Sequence, residues 1–231
     1  MDDFVSQVSG VSALAEPARR ALYLYVAAQP EPVSRDGAAE GVGLPRHTAK
    51  FHLDKLVEEG LLDTEFRRLS GRRGPGAGRP TKLYRRSARQ VAVTLPQRHY
   101  DLAGQVLAEG VDAAARAGVP VLDAVREAAA ATGRRLGAQA RQRCASAVPT
   151  PRDVVAALGE HGYEPRRHEA VTVLGNCPFH ALARDHTALV CGINLSLLTA
   201  FLEEFGAPGS RARLDPAPDR CCVTVHEDAA T

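Results

Sequence analysis

Apolar residues in the first quarter of the chain recur at helical spacing between proline and glycine breaks. Ala21, Leu22, Leu24, Tyr25 and Ala28 follow Pro17, and Gln29-Pro30-Glu31-Pro32 closes the run, so the pattern predicts a helix over 17–28. Ser34 is suited to cap a short second helix through Glu40, and Gly41-Val42-Gly43 supplies a tight turn. Pro45 suits the first turn of a third helix that runs to about Glu59. In that helix Ala49, Leu53, Leu56 and Val57 form an inward stripe. Arg46, His47, Thr48, Lys50, His52 and Lys55 are left on the exposed faces, and side chains of these types contact bases and phosphates.

After Gly60 the pattern predicts a strand over 62–69, a glycine-rich tip over 70–80 and a return strand over 81–85. The whole chain carries a net charge of +2, but its charge is uneven. Nine basic residues and no acidic ones lie from Arg67 to Arg89. A cationic hairpin tip directly after a recognition helix, with Arg72, Arg73, Arg79 and Lys82, suits the phosphate backbone or the minor groove. The plain alternative is a charged loop without function.

Downstream, Leu102, Val106, Leu107 and Val111 share one helical face, and Val121, Leu122, Val125 and Leu136 follow Gly118-Val119-Pro120. These are two helices, read as linker and dimerisation elements; the second fits an intramolecular core equally well. Pro149-Thr150-Pro151 marks a boundary. Beyond it the pattern predicts helices over 153–161, 178–187 and 190–205, strands over 166–174 and 221–225, and a surface loop over 206–220. The expected fold class is α+β: a winged helix-turn-helix over 1–95, a helical linker and dimerisation region over 96–148, and a small α+β sensor domain over 149–231. At 231 residues and 45 % hydrophobic the chain can bury substantial cores. The N-terminus lacks the pattern of a secretory signal and no run approaches the ~18 apolar residues of a membrane span, so a cytoplasmic protein without membrane contact is expected.

Five cysteines are present, and Cys177, Cys191, Cys221 and Cys222 lie in the last quarter. An odd number concentrated at one end fits metal or redox work in a reducing compartment better than a disulfide frame. Thiols from three elements can converge on one centre, since thiolate is a preferred ligand of zinc and of iron–sulfur clusters. On a strand Cys221 shares a face with Val223 and Val225, whereas Cys222 points with Thr224 and His226. The strand-face pattern favours Cys221 over Cys222 as a third thiol ligand and leaves Cys222 as the alternative. His180, three residues from Cys177, is a candidate fourth ligand, which would equally complete a Cys3His zinc site. Cys144 lacks a nearby partner. Buried cysteines without any ligand role are the plain alternative.

The stretch from His47 to Leu62, together with Gly78-Arg79-Pro80-Thr81-Lys82-Leu83-Tyr84, resembles the winged-helix domains of ArsR-like bacterial regulators. The second half resembles the C-terminal domain of SufR-type iron–sulfur regulators. That likeness rests on Asn176-Cys177-Pro178-Phe179-His180, His186, Leu189-Val190-Cys191, Asn194, Leu197-Leu198 and Cys221. The resemblance implies an iron–sulfur cluster, 4Fe–4S or 2Fe–2S, on Cys177, Cys191 and Cys221. It leads to the expectation of a homodimeric repressor that binds double-stranded operator DNA and senses redox or iron–sulfur status. The same architecture with zinc or a small organic molecule in the C-terminal domain is the alternative. An enzyme with Cys177 as nucleophile and His180 or His186 as base is a third class, but Walker, dinucleotide and Gly-x-Ser-x-Gly motifs are missing from the sequence, and a non-enzyme is expected.

Overall fold

Local capping sets the start of the helix-turn-helix. In a computed structural model that describes residues 2–68 and 80–228, the chain forms two compact units, 1–93 and 94–231. The first opens with α1 (Asp2–Ala13), followed by α2 (Pro17–Ala27), where the Glu16 carboxylate accepts the amide protons of Ala18 at 3.1 Å and Arg19 at 2.6 Å. A short strand, β1 (Val33–Ser34), leads into α3 (Arg35–Val42), and Ser34 Oγ accepts from the Gly37 amide at 3.0 Å. Gly43 closes α3 at φ 72°, a conformation that glycine adopts without steric cost, and α4 (Arg46–Glu58) follows.

The hairpin of β2 (Leu62–Arg67) and β3 (Thr81–Arg86) runs in register from Leu62 opposite Arg86 to Arg67 opposite Thr81. Antiparallel β1 adds on the far side of β3, giving the order β1-β3-β2. Leu22, Val26, Ala38, Ala49, Leu53 and Leu56 fill the core beneath it. The hairpin tip, with Arg72, Arg73 and Arg79, lies outside the described residues. Two elements here have no counterpart in the periodicity reading. β1 is only two residues long. α1 leaves its apolar Val5, Val8 and Val11 exposed and is held by other means: Gly10 lies against Val91 and Leu61, Ser9 donates to Glu59 at 2.6 Å, and Arg89 donates to Ser6 at 2.6 Å.

The second unit contains α5 (Tyr100–Ala117), α6 (Val121–Arg143), α7 (Pro151–Glu160), β4 (Pro165–His168), β5 (Val171–Leu174), α8 (His180–Asp185), α9 (Thr187–Phe205), β6 (Ser210–Leu214) and β7 (Val223–Glu227). Its four strands are antiparallel in the order β4-β5-β7-β6. The helical core rests on small residues. Ala129, Gly133, Gly137 and Ala140 are buried along α6, and a Cβ at Gly137 would lie 2.5 Å from the carbonyl oxygen of Phe201 on α9. A Cβ at Gly110 on α5 would likewise lie 2.5 Å from the Val125 backbone. These glycines let the helix axes approach closely, so α5 and α6 share one core with the C-terminal elements. Residues 96–148 are thus an integral layer of this unit and not a linker apart from residues 149–231.

Four further expectations are corrected. Residues 166–174 form two strands joined by a turn at Glu169, where φ is 52°. Residues 206–220, expected as a loop, contain β6, which pairs with β7 from Ser210 opposite Glu227 to Leu214 opposite Val223. Of the three prolines there, Pro208 precedes that strand and Pro216 and Pro218 follow it, and Cys221 and Cys222 precede β7 instead of opening it. Contrary to the apolar-run reading, α9 is long and apolar enough to cross a bilayer. Val190, Ile193, Leu197 and Phe201 are buried in the core of this unit, which accounts for its composition.

The two kinds of helical glycine predict opposite effects. Gly133→Ala would drive a Cβ into the Leu197 backbone and should destabilise the protein by about 1–3 kcal/mol, the usual cost of overpacking. A Cβ on Gly104 of α5 would meet only open space, so Gly104→Ala should add about 0.5–1 kcal/mol through helix propensity. Chemical denaturation of both variants checks the signs.

Candidate DNA-contact surface and cysteine cluster

On α4 the buried stripe of Ala49, Leu53 and Leu56 fixes which side chains are exposed. Arg46, His47 and Lys50 are exposed, and Thr48 and Lys55 are half-buried. His52 departs from expectation. It is 9 % exposed, and its Nδ1 lies 3.5 Å from the Glu16 carboxylate. One turn before Leu56, it follows the inward face, and the carboxylate that caps α2 accommodates its polar edge. Phe51 takes an exposed position on α4 instead, at 65 %, with its ring edge-on to His52. A large aromatic side chain off the Ala49–Leu53–Leu56 stripe was the available signal for it. Such a ring can make apolar contact with a thymine methyl group.

Pairing on the protein discounts some of the cations. Lys55 lies 3.0 Å from both Glu58 and Glu59, and Arg46 is paired with Asp36. Lys82 Nζ is 2.8 Å from Asp54 and 5.0 Å from the Tyr84 ring centre, while the Tyr84 hydroxyl donates to Asp54 at 3.2 Å. Burial works against the Asp54 carboxylate, but Lys82 and Tyr84 outweigh it and hold its pKa below the ordinary value. Lys82 therefore anchors the hairpin to α4 as well as adding positive charge.

In the second unit antiparallel pairing brings the cysteines together. β5 ends at Leu174 where β7 begins, and the Cys221 amide donates to the Leu174 carbonyl at 2.9 Å. Cys177, just past β5, and Cys221-Cys222, just before β7, thus sit at one end of the sheet. Cys191, in the second turn of α9, is disulfide-bonded to Cys222 with a Cα–Cα distance of 6.3 Å. Cys177 and Cys221 are free and buried, at 8 % and 0 % exposed, and the ionisation of each thiol bears on that of the other. Cys144 is free and half-buried.

Buried polar groups tie this cluster into the fold. The Asn194 amide, one turn along α9 from Cys191, donates to Cys221 Sγ at 3.2 Å, and the Tyr163 hydroxyl donates to Asn194 Oδ1 at 2.6 Å. Val223 N–H reaches Cys221 Sγ at 3.5 Å. The Asn176 amide donates to the carbonyls of Gly162 at 2.6 Å and Gln97 at 2.9 Å, and Arg98 bonds both Asn176 and the Cys177 carbonyl. Tyr163, Asn176, Asn194 and Arg98 all support the thiols without carrying one. Asn176 and Asn194 were visible in the sequence only through the family resemblance, and Arg98 and Tyr163 carried no signal.

His180 does not join the thiols. Its amide donates to the Cys177 carbonyl at 3.1 Å, but its side chain is exposed at the start of α8, as is His186 at the end of that helix. Among the described residues no three histidine, cysteine, aspartate or glutamate side chains are grouped to hold a metal ion. The bond between Cys191 and Cys222 commits two of the four sulfurs to each other. Reduced, the site offers four thiols, with N–H donors from Asn194 and Val223 directed at sulfur. That donor chemistry fits a thiolate-held centre, in which N–H···S contacts stabilise negative charge.

The Cys177–Cys221 pair is polarised. Hydrogen bonding from Cys221, with help from the Phe179 amide and the charge of Arg98, outweighs burial and lowers the Cys177 pKa to about 7. Cys221, as the donor and deeply buried, is pushed up and keeps its proton. With the Cys191–Cys222 bond intact, the ultraviolet absorbance of thiolate should rise through a step centred at about pH 7, deprotonated above and protonated below. Cys177→Ser should remove that step. A titration with no thiolate formed below the ordinary range of cysteine would contradict the assignment.

Residues 14–65 match a protein-family model described as a helix-turn-helix domain. The match spans α2 to α4 and reaches into β2. No curated protein and no solved structure matches the chain. The helix-turn-helix, its antiparallel hairpin and this match together support a winged-helix, DNA-binding transcription regulator.

Proposed function

We propose that the chain is a homodimeric, cytoplasmic transcription regulator, a repressor, in which an iron–sulfur cluster held by Cys177, Cys191 and Cys221 sets the affinity of the winged helix for operator DNA. The observation that carries this reading is the convergence of four sulfurs from three elements at one end of the β5–β7 pair. When bound, such a cluster supplies a centre sensitive to oxygen and electron transfer. Cys177 is the acidic thiol of the set, Asn194 and Val223 direct N–H groups at Cys221, and Arg98 fixes the Cys177 backbone. Cys191 becomes a ligand once a thiol reductant has converted its bond with Cys222 into two thiols. Zinc would use the same sulfurs. The exposed Val119, Val121 and Leu122, at the turn between α5 and α6, support the homodimer, since clustered apolar surface marks interaction sites. On DNA, α4 reads base edges with Lys50, Thr48 and Phe51, and the basic hairpin follows the phosphates.

The Cys191–Cys222 bond favours a second reading with the same architecture and no metal. In it the two thiols give up two electrons and two protons to a disulfide oxidant, which is reduced to two thiols, and the new bond ties α9 to the start of β7.

Iron, sulfide and zinc analysis of protein isolated without oxygen tests the proposal. Iron and sulfide in equal amounts are expected, lost in Cys177→Ser, Cys191→Ser and Cys221→Ser and kept in Cys144→Ser. Cys222→Ser should keep more than Cys221→Ser. Zinc in their place supports the zinc form; no metal with a reducible Cys191–Cys222 bond supports the second reading. On the DNA side, Lys50→Ala should change the preference among DNA sites, as the loss of a base-edge contact does. Lys82→Ala should flatten the salt dependence of binding by less than the roughly one unit of slope that a full phosphate contact is worth, because Asp54 already balances that charge. A loss that is uniform across sites in Lys50→Ala, or a full unit of slope lost in Lys82→Ala, would contradict this surface.

A further inference from the structure

The second unit holds a partly open cavity of about 170 Å³ that the cysteine chemistry does not use. Its walls include Leu136, Leu158, Leu198, Phe179 and Phe201, all apolar. Four polar side chains, His99, Asp101, His161 and Tyr163, also line it, and the Tyr163 hydroxyl is already bonded to Asn194. His99 and His161 both line the cavity, and the Nε2 atom of each is buried without a hydrogen-bond partner. Leaving a buried polar atom unpaired is costly, and the cost falls away when a ligand supplies the partner. The two rings are close neighbours in the fold: a Cβ on Gly162, the residue after His161, would lie 3.4 Å from His99 Nε2. The His161 ring is held edge-on to Phe201 with centroids 5.6 Å apart.

The size and charge of the site narrow the ligand. An engineered apolar cavity of about 150 Å³ stays dry and takes up benzene, so this volume suits a single six-membered ring. Aromatic walls from Phe179 and Phe201 suit a ring with a π-face. Two neutral imidazoles present one N–H and one bare nitrogen when their tautomers are complementary, and a hydroxyl group satisfies both by accepting from one and donating to the other. Carboxylates fit poorly. Asp101 also lines the cavity, and burial holds the His161 pKa below its ordinary value, which disfavours the imidazolium a carboxylate would need.

We infer that this cavity is a binding site for a small neutral hydroxylated ring of the phenol class, its ring between Phe179 and Phe201 and its hydroxyl between His99 and His161. Phe179 follows Cys177 by two residues, and Tyr163, another lining residue, bonds Asn194 beside Cys221. Occupancy therefore bears on the walls that support the cysteine cluster, but binding itself requires neither metal nor DNA.

Calorimetric titration of the full chain with phenol, benzene and benzoate tests the inference. Phenol should bind one per chain with Kd below about 1 mM. Benzene, which lacks the hydroxyl, and benzoate, which carries charge, should each bind at least tenfold more weakly, a factor worth about 1.4 kcal/mol. His161→Phe and His99→Phe should bring phenol down to the level of benzene. Comparison of the three compounds on the unaltered protein decides the matter even if a variant fails to fold. Absence of saturable phenol binding, equal binding of benzene, tighter binding of benzoate, or unchanged phenol binding by a folded His161→Phe protein would each overturn it.

Discussion

The close approach of α6 to α9 is the constraint on which the second unit depends. Gly133 and Gly137 have no side chain because the Leu197 and Phe201 backbone occupies that space. Dispersion and apolar burial between two long helices then hold α9 in one position and rotation. Both candidate sites hang from that helix. Its second turn carries Cys191 and Asn194 to the end of the sheet, and its middle supplies Leu197, Leu198 and Phe201 to the cavity wall. A shift of α9 along α6 would move a sulfur, the amide that bonds Cys221 and the cavity wall together.

The sheet supplies the other half of the cysteine arrangement. Cys177 and Cys221 are 44 positions apart in sequence, and only the antiparallel pairing of β5 with β7 brings the end of one strand to the start of the other. Tyr163, Asn194 and Cys221 then form a buried hydrogen-bonded chain that joins the end of α7, α9 and β7. Burial keeps the Tyr163 phenol neutral, so it remains the donor in this chain. In such a low-dielectric setting each member depends on its neighbours, since a missing partner leaves a buried polar atom unpaired. The thiols are therefore part of the support of the core as well as its reactive groups.

Much of the first unit was legible because periodicity and punctuation agree there. Pro17, Ser34, Gly43 and the glycine after α4 each mark a boundary that the backbone requires. His52 was not legible: its spacing places it next to the inward stripe, and only Glu16, 36 positions upstream, makes an inward histidine tolerable. α1 escaped because its packed side is Gly10 and hydrogen-bonding serines, whereas its valines are exposed. In the second unit the helices were legible but not their partners, since close packing on glycine looks in sequence like weak helix propensity. β6 was hidden by charged residues, Arg211 and Arg213, that suit a solvated edge strand as well as a loop. The cysteines pointed to one site, but the Cys191–Cys222 bond and the exposure of His180 follow from three-dimensional placement alone.

The proposed function couples a helix-turn-helix to a centre at the buried cysteines of the same chain, and such coupling is a free energy between sites. The most direct test is the affinity of one anaerobic preparation of the full chain for a DNA sequence it selects from a random pool, measured before and after the sulfur centre is removed or oxidised. The account predicts a change of about 5- to 150-fold, the usual range of allosteric coupling, with the same change absent from protein in which Cys177 is replaced by serine. Equal affinity before and after, in protein shown to have lost its centre, would contradict it.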